Sequence, residues 1–130
     1  MKKIETKWSN GNKDEEYWIN EKEEIEGKYR SWHSNGKKWV KCRYEKGEIE
    51  GEYREWRING RKWIYCRFVK GIREGEYRSW HSDGGKLEKC RYEKGKIEGE
   101  YRSWYDNGEI GCWIYEKKRQ IVVKYKKRTK

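Results

Sequence analysis

The chain has 130 residues, 34 of them basic and 23 acidic, for a formal charge of +11. Its apolar fraction is only 32%, half of it aromatic, with nine Trp and eleven Tyr, no Ala, no Pro and a single Leu, Leu87. That composition excludes a bundle of helices, which draws on Ala and Leu, and no apolar run approaches the ~18 residues of a membrane span.

The segment 4–26 comes first, and its KWSNG and EKEEIEG are degraded forms of motifs that recur downstream. The opening stretch MKKIETKWSNGNKDEE has no apolar core of the kind a secretory leader needs, so no leader is expected. Full copies of a 24-residue unit follow at 27–50, 51–74 and 75–98, opening at Gly27, Gly51 and Gly75. A partial copy covers 99–116, and 117–130 is a basic strand and tail. Tyr29, Tyr53, Tyr77 and Tyr101 keep the phase, as do Trp32, Trp56, Trp80 and Trp104, with Trp8 placed in the same column. Atypical ends on a repeat array are expected of capping units, and the whole chain reads as one repeat domain.

Each copy reads as two strands. Asn35-Gly36, Asn59-Gly60, Asp83-Gly84 and Asn107-Gly108 have the chemistry of two-residue hairpin turns. The second turn, EKG, reads as a four-residue loop over 45–48 with Gly47 left-handed. That register pairs Tyr44 with Ile49, Cys42 with Gly51 and Val40 with Tyr53 on one face, and Arg43 with Glu50, Lys41 with Glu52 and Trp39 with Arg54 on the other. The Asn-Gly turns then set Trp32 against Trp39 and Trp56 against Trp63. The expectation is an all-β, elongated antiparallel meander of about eleven strands, about 50 Å long at ~4.8 Å per strand. Ile72-Arg73 inverts the order of Glu48-Ile49, which predicts a bulge or an inward charge there.

The pattern G-x-Y-x-x-W-x-x-N-G with a second Gly-bearing turn resembles the MORN repeat. It is closest to the variant form of bacterial YwqK-family antitoxins and of repeat proteins of large DNA viruses. The matching residues are Gly51, Tyr53, Trp56, Asn59, Gly60, Phe68 and Gly71 and their equivalents, from about Trp8 to Tyr125. The resemblance implies stacked β-hairpins that serve as protein-interaction or membrane-apposition modules, and through the antitoxin label a protein partner.

Candidates for chemistry are few. Cys42, Cys66 and Cys90 are in phase, with Cys112 slightly out. Same-phase residues lie two strands apart, ~9.5 Å, beyond the ~7 Å reach of a disulfide. No zinc spacing such as CxxC accompanies them. They read as small core residues and free thiols, hence an intracellular, reducing compartment. His33 and His81 share one repeat position with Arg57 and Tyr105, so they read as solvated or stacking groups. Glu50, Glu52, Glu74, Glu76, Glu98 and Glu100 read as a charge-paired, solvated face. No metal site, cofactor or enzymatic activity is expected.

Two surfaces remain. Trp32, Trp39, Trp56, Trp63 and Trp80 with Arg30, Arg54, Arg78 and Arg102 form a stripe fit to grip a protein or stack bases, or to stabilise a thin sheet through its own cross-strand contacts. Residues 117–130 carry eight basic and no acidic residues, among them Lys117, Lys118, Arg119, Lys124, Lys126, Lys127 and Arg128. That patch fits nucleic acid or anionic lipid, or protects the last strand from pairing with another sheet. The leading expectation is a non-enzymatic scaffold for a protein partner; self-association is a further possibility.

Overall fold

The computed structural model describes residues 1–117 and 120–125, and the side chains of 1–115 and Val123. Among them there is no helix. The strands are β1 (Lys2–Lys7), β2 (Lys13–Ile19), β3 (Gly27–Trp32), β4 (Lys38–Glu45), β5 (Glu48–Ile49), β6 (Gly51–Trp56), β7 (Lys62–Val69), β8 (Ile72–Arg73), β9 (Gly75–Trp80), β10 (Lys86–Glu93), β11 (Lys96–Trp104), β12 (Ile110–Lys117) and β13 (Gln120–Tyr125). All lie in one antiparallel sheet. Eleven follow one another across it in chain order, while β5 pairs back on β4 and β8 on β7. This is the expected meander.

The two-residue turn falls at EKG rather than at Asn-Gly, while the Tyr44–Ile49 register beside EKG is the expected one. At EKG, Glu45 pairs with Glu48, and Lys46 (φ 49°) and Gly47 (φ 82°) both lie in the left-handed region. That is a two-residue hairpin of the type whose twist matches the strands. At Asn-Gly only Gly36 has positive φ, 89°. His33 N–H donates to the Lys37 carbonyl at 2.8 Å and Gly36 N–H to the His33 carbonyl at 2.9 Å. This is a three-residue loop closed by a left-handed Gly, which adds one residue to the returning strand. Ser31 stands opposite Val40 but Trp32 opposite Lys38, so Trp39 is the extra residue. The expected Trp32–Trp39 and Trp56–Trp63 pairs are therefore replaced by Trp32–Lys38 and Trp56–Lys62.

A second correction follows the EKG turn. Tyr44 is opposite Ile49 as expected, but Lys41 is opposite Arg54 and Val40 opposite Glu55. Two extra residues, Glu50 and Gly51 (φ 85°), are absorbed between them. The slip is even, so no side chain changes face. Its effect is on neighbours: across the EKG turn Cys90 faces Tyr101, where the glycine that opens the next copy was expected.

The core is one layer deep. Cys42, Cys66, Cys90, Tyr77, Ser31, Ser79 and His33 are buried. Tyr rings meet edge-on above the cysteines, with centroids 5.6 Å apart for Tyr29–Tyr44 and Tyr77–Tyr92 and 5.8 Å for Tyr53–Phe68. The Tyr hydroxyls donate to carboxylates on the same face: Tyr29 to Glu15 (2.5 Å), Tyr53 to Glu55 (2.7 Å) and Tyr101 to Glu88 (2.7 Å). This face was expected to be free of acids. Arg73 also lies on it, 4.9 Å from the Tyr77 centroid and 5.4 Å from that of Tyr92, so the inverted Ile72-Arg73 pair resolves as an inward charge. The accessible surface is 9516 Å². A compact monomer of 16.2 kDa exposes about 7,500 Å², which measures how much of this sheet is left uncovered.

Successive repeats are tied along the Asn-Gly edge. Asn35 Nδ2 donates to the Ile58 carbonyl (2.8 Å) and Asn59 Nδ2 to the Ser82 carbonyl (3.1 Å). His33 Nε2 and His81 Nε2 lie 2.8 and 2.7 Å from the carbonyls of Trp56 and Trp104. Trp8 Nε1 reaches the Trp32 carbonyl at 2.9 Å, and Trp8 N–H closes its turn on the Asn12 carbonyl. Trp8 thus occupies the place of His33, not of Trp32.

Candidate functional site: a cationic tryptophan face

The face opposite the tyrosines carries two parallel rows. Reading cross-strand partners from β3 to β11 gives one continuous line: Arg30, Lys41, Arg54, Tyr65, Arg78, Lys89, Arg102. It spans seven strands, about 29 Å at ~4.8 Å per step. No carboxylate interrupts it. On its far side Arg102 faces Trp113, and on its near side Arg30 faces Glu16, which faces Glu5. The row is therefore acidic on the first two strands and cationic from β3 onward.

The second row alternates Trp and Lys. Trp32 is opposite Lys38, Trp56 opposite Lys62 and Trp80 opposite Lys86. Each Lys also reaches the Trp of the following repeat: Lys38 Nζ is 5.6 Å from the Trp56 ring, Lys62 5.8 Å from Trp80 and Lys86 5.6 Å from Trp104. Cation–π contacts at exposed sites contribute about 0.5–1 kcal/mol each. The indoles are half-buried and the lysines exposed.

Like charges directly across neighbouring strands destabilise a sheet. The row is relieved in part by Glu residues two positions upstream. Arg54 pairs with Glu52 at 3.4 Å, Arg102 with Glu100 at 2.7 Å, and Arg78 with Glu76. Glu52, expected opposite Lys41, instead pairs with Arg54 on its own strand and with Arg67 across the β6–β7 pair at 3.8 Å. Glu50 and Glu74 instead accept the backbone N–H groups of Lys70 and Lys94. Among the described residues, Arg30, Lys41 and Lys89 make no ion pair.

The two rows border an open groove. One concavity of about 270 Å³ lies among Arg54, Trp56, Lys62, Tyr65, Arg78 and Trp80. A second, of about 510 Å³, shares Arg54 and Trp56 and continues to Lys41, Lys38 and Arg30.

Of the sequence candidates, Trp32, Trp56, Trp80, Arg54 and Arg78 share this face. Trp39 and Trp63 do not join them. The bulge turns Trp39 toward the tyrosine side, where it stacks on His33 (centroids 4.7 Å) and donates to Glu55 at 3.3 Å. Trp63 has the Arg57 guanidinium 4.4 Å from its ring. His33 is thus buried and stacked rather than solvated. Sequence reasoning missed Lys38, Lys62 and Lys86, although their 24-residue spacing marks them as a column, and it missed Lys41 and Lys89 because the slips at Gly51 and Gly99 hid their partners. In the basic patch, Lys118, Arg119, Lys126, Lys127 and Arg128 lie outside the described residues, and only the backbone of Lys117 and Lys124 falls within them.

The cysteines are free thiols. Burial pushes the Cys42 thiol up to about 12 and those of Cys66 and Cys90 up to about 11, with the Arg73 charge pulling Cys66 partly back. Thiols so held protonated are poor nucleophiles at neutral pH.

No family model matches this chain, and no curated protein matches it significantly.

Proposed function

We propose that the chain is a non-enzymatic repeat scaffold that holds an extended, negatively charged macromolecular partner against its Trp/Arg/Lys face. The observation that carries this reading is the unbroken row from Arg30 to Arg102. Nine cations lie in the two rows, counting Lys38, Lys62 and Lys86, and a sheet that sets cations side by side is relieved by an anion laid across them. The resemblance to MORN repeats supports a binding role. The protein partner expected from the sequence is narrowed to an acidic surface or segment, and a nucleic acid meets the same charge requirement.

Binding of heparin, as a generic polyanion, tests the location. Lys41→Glu with Lys89→Glu should weaken binding more than tenfold and lower the salt slope by about 2. The same charge change at the turn residues Lys22 and Lys46 should do much less. If removal of 124–130 abolishes binding at every salt concentration while the Lys41/Lys89 double variant changes nothing, the basic tail is the site and this reading falls.

A further inference from the structure

We infer that the partner on this face is a single-stranded nucleic acid, with its phosphates along the Arg30–Arg102 row and its bases over the tryptophan row. This rests on the scaffold reading above and names its ligand. A negatively charged polypeptide would satisfy the cationic row alone. It would leave the indoles of the second row unused, because acidic side chains carry no aromatic ring to stack on them. A single strand supplies both parts, and supplies them side by side.

The spacing agrees. Arg54 and Trp56 are two residues apart on one strand, as are Arg78 and Trp80. The two rows are therefore separated by about 6.8 Å, two steps of ~3.4 Å. That offset suits a chain whose charged backbone runs beside its stacked rings. Both rows run in the same direction, across the strands, so a linear polymer follows them together. Trp32, Trp56, Trp80 and Trp104 recur at every second strand, about 9.5 Å apart. Each is flanked by a Lys that now lies by its ring. Those lysines are exposed; Lys38, Lys62 and Lys86 are held only by cation–π contact, while Lys13 also pairs with Glu16 at 3.2 Å, so at the three repeat lysines an incoming base displaces the ammonium toward a phosphate. The Arg–Glu pairs at Arg54 and Arg78 are exposed and that at Arg102 half-buried, and exposed pairs of that kind are worth at most about 1 kcal/mol. Exchange of a carboxylate for a phosphate at each is inexpensive. Sequence-tolerant single-strand binders combine these two elements, a cationic groove and aromatic platforms, over about 4–16 nucleotides per fold. A duplex keeps its base faces inside and offers the tryptophans nothing.

The test compares four probes of matched charge: a labelled oligothymidylate of about 12 nucleotides, within the usual site sizes, its abasic counterpart, a blunt duplex and an oligoglutamate. Affinity is read by fluorescence anisotropy and stacking by quenching of indole emission. The oligothymidylate should bind at least tenfold tighter than the other three and quench the indoles. Trp56→Leu and Trp80→Leu should each weaken it about 5- to 100-fold, the range expected for one lost base platform, and leave abasic binding unchanged. Trp80→Phe, which keeps a smaller platform in the same place, should fall between and guards against a folding defect. Equal binding of the oligothymidylate and its abasic form, or equal binding of the duplex without quenching, overturns the inference while the scaffold reading stands. Tighter binding of oligoglutamate assigns the face to an acidic protein. If none of the four binds, both readings fail.

Discussion

Lys41 stands directly opposite Arg54 across the β4–β6 pair, and among the described residues no carboxylate pairs with the lysine. A sheet tolerates such a pair at a cost of about 0.2–1 kcal/mol. Lys41→Glu is therefore expected to raise stability by that amount in urea denaturation while lowering polyanion affinity. Opposite movement of the two quantities separates a binding residue from a structural one. A loss of both would show that Lys41 supports the fold.

Alkaline lability follows from the buried thiols. An unfolded cysteine ionises near 8.5, whereas burial holds Cys42 up to about 12 and Cys66 and Cys90 up to about 11. Above pH 8.5 the unfolded state loses protons that the native state keeps, so stability falls as pH rises. The slope approaches ~1.4 kcal/mol per pH unit for each thiol until the native pKa is reached. Burial, with the nearby carboxylates, pushes the Tyr53 and Tyr101 hydroxyls the same way. Denaturant midpoints should be flat from about pH 6 to 8 and decline between about 9 and 12. Cys42→Ser, Cys66→Ser and Cys90→Ser together should flatten the early part of that decline.

The EKG turns carry a correctable strain. Lys46, Lys70 and Lys94 have φ of 49°, 49° and 52°, a region that favours Asn and Gly. Lys70→Asn leaves the backbone N–H that donates to Glu50 in place. It should raise stability by about 0.5 kcal/mol, read as a shift in urea midpoint with an unchanged slope.

Removing the His33 ring takes away both a stack on Trp39 and a bond at the Trp56 carbonyl. His33→Ala should cost about 1–3 kcal/mol, because a part-buried carbonyl is left without its partner and the buried ring leaves its stack. The same change at Lys28, exposed on β3 and away from that edge, should cost under about 0.5 kcal/mol. Equal effects would mean that the edge ladder contributes little.

At the inverted pair, Ile72 is 50% exposed while Arg73 is opposite Phe68 and donates to the Tyr92 hydroxyl at 3.3 Å. The double exchange Ile72→Glu with Arg73→Ile restores the order seen at Glu48-Ile49. It should stabilise the sheet by about 1 kcal/mol, since an inward cation gives way to an apolar side chain. It should also slow Cys66 alkylation further, because the charge that favours its thiolate is gone.

The chain order of the meander was legible because alternation and turn residues act locally. The face assignment survived the slip at Glu50–Gly51 because a shift of two keeps every side chain on its own side. What the sequence hid was which turn takes the extra residue. Asn35-Gly36 has the chemistry of a two-residue turn, yet Asn35 is better used elsewhere: its Oδ1 accepts from Lys37 N–H and its Nδ2 reaches the next repeat. Lys46-Gly47 then takes the tight turn with a lysine in an unfavoured conformation. The extra residue at Asn-Gly moved Trp39 and Trp63 away from the cationic face and brought Lys38 and Lys62 onto it. Neither effect is visible without the inter-repeat bonds, which are long in sequence and leave no mark on local pattern.

The Asn35-to-Ile58 and Asn59-to-Ser82 bonds join like positions of adjacent copies, so each copy presents on one side the socket that the other side fills. Excising 51–74 would leave Asn35 facing the Ser82 carbonyl that Asn59 now uses. The sheet would close up one module shorter, with both rows of the cationic face still in line. Length in this architecture is a count rather than a shape. A lineage or a designer can lengthen or shorten the cationic face by about 9.5 Å at a time, reusing the same inter-repeat contacts at each added or removed copy.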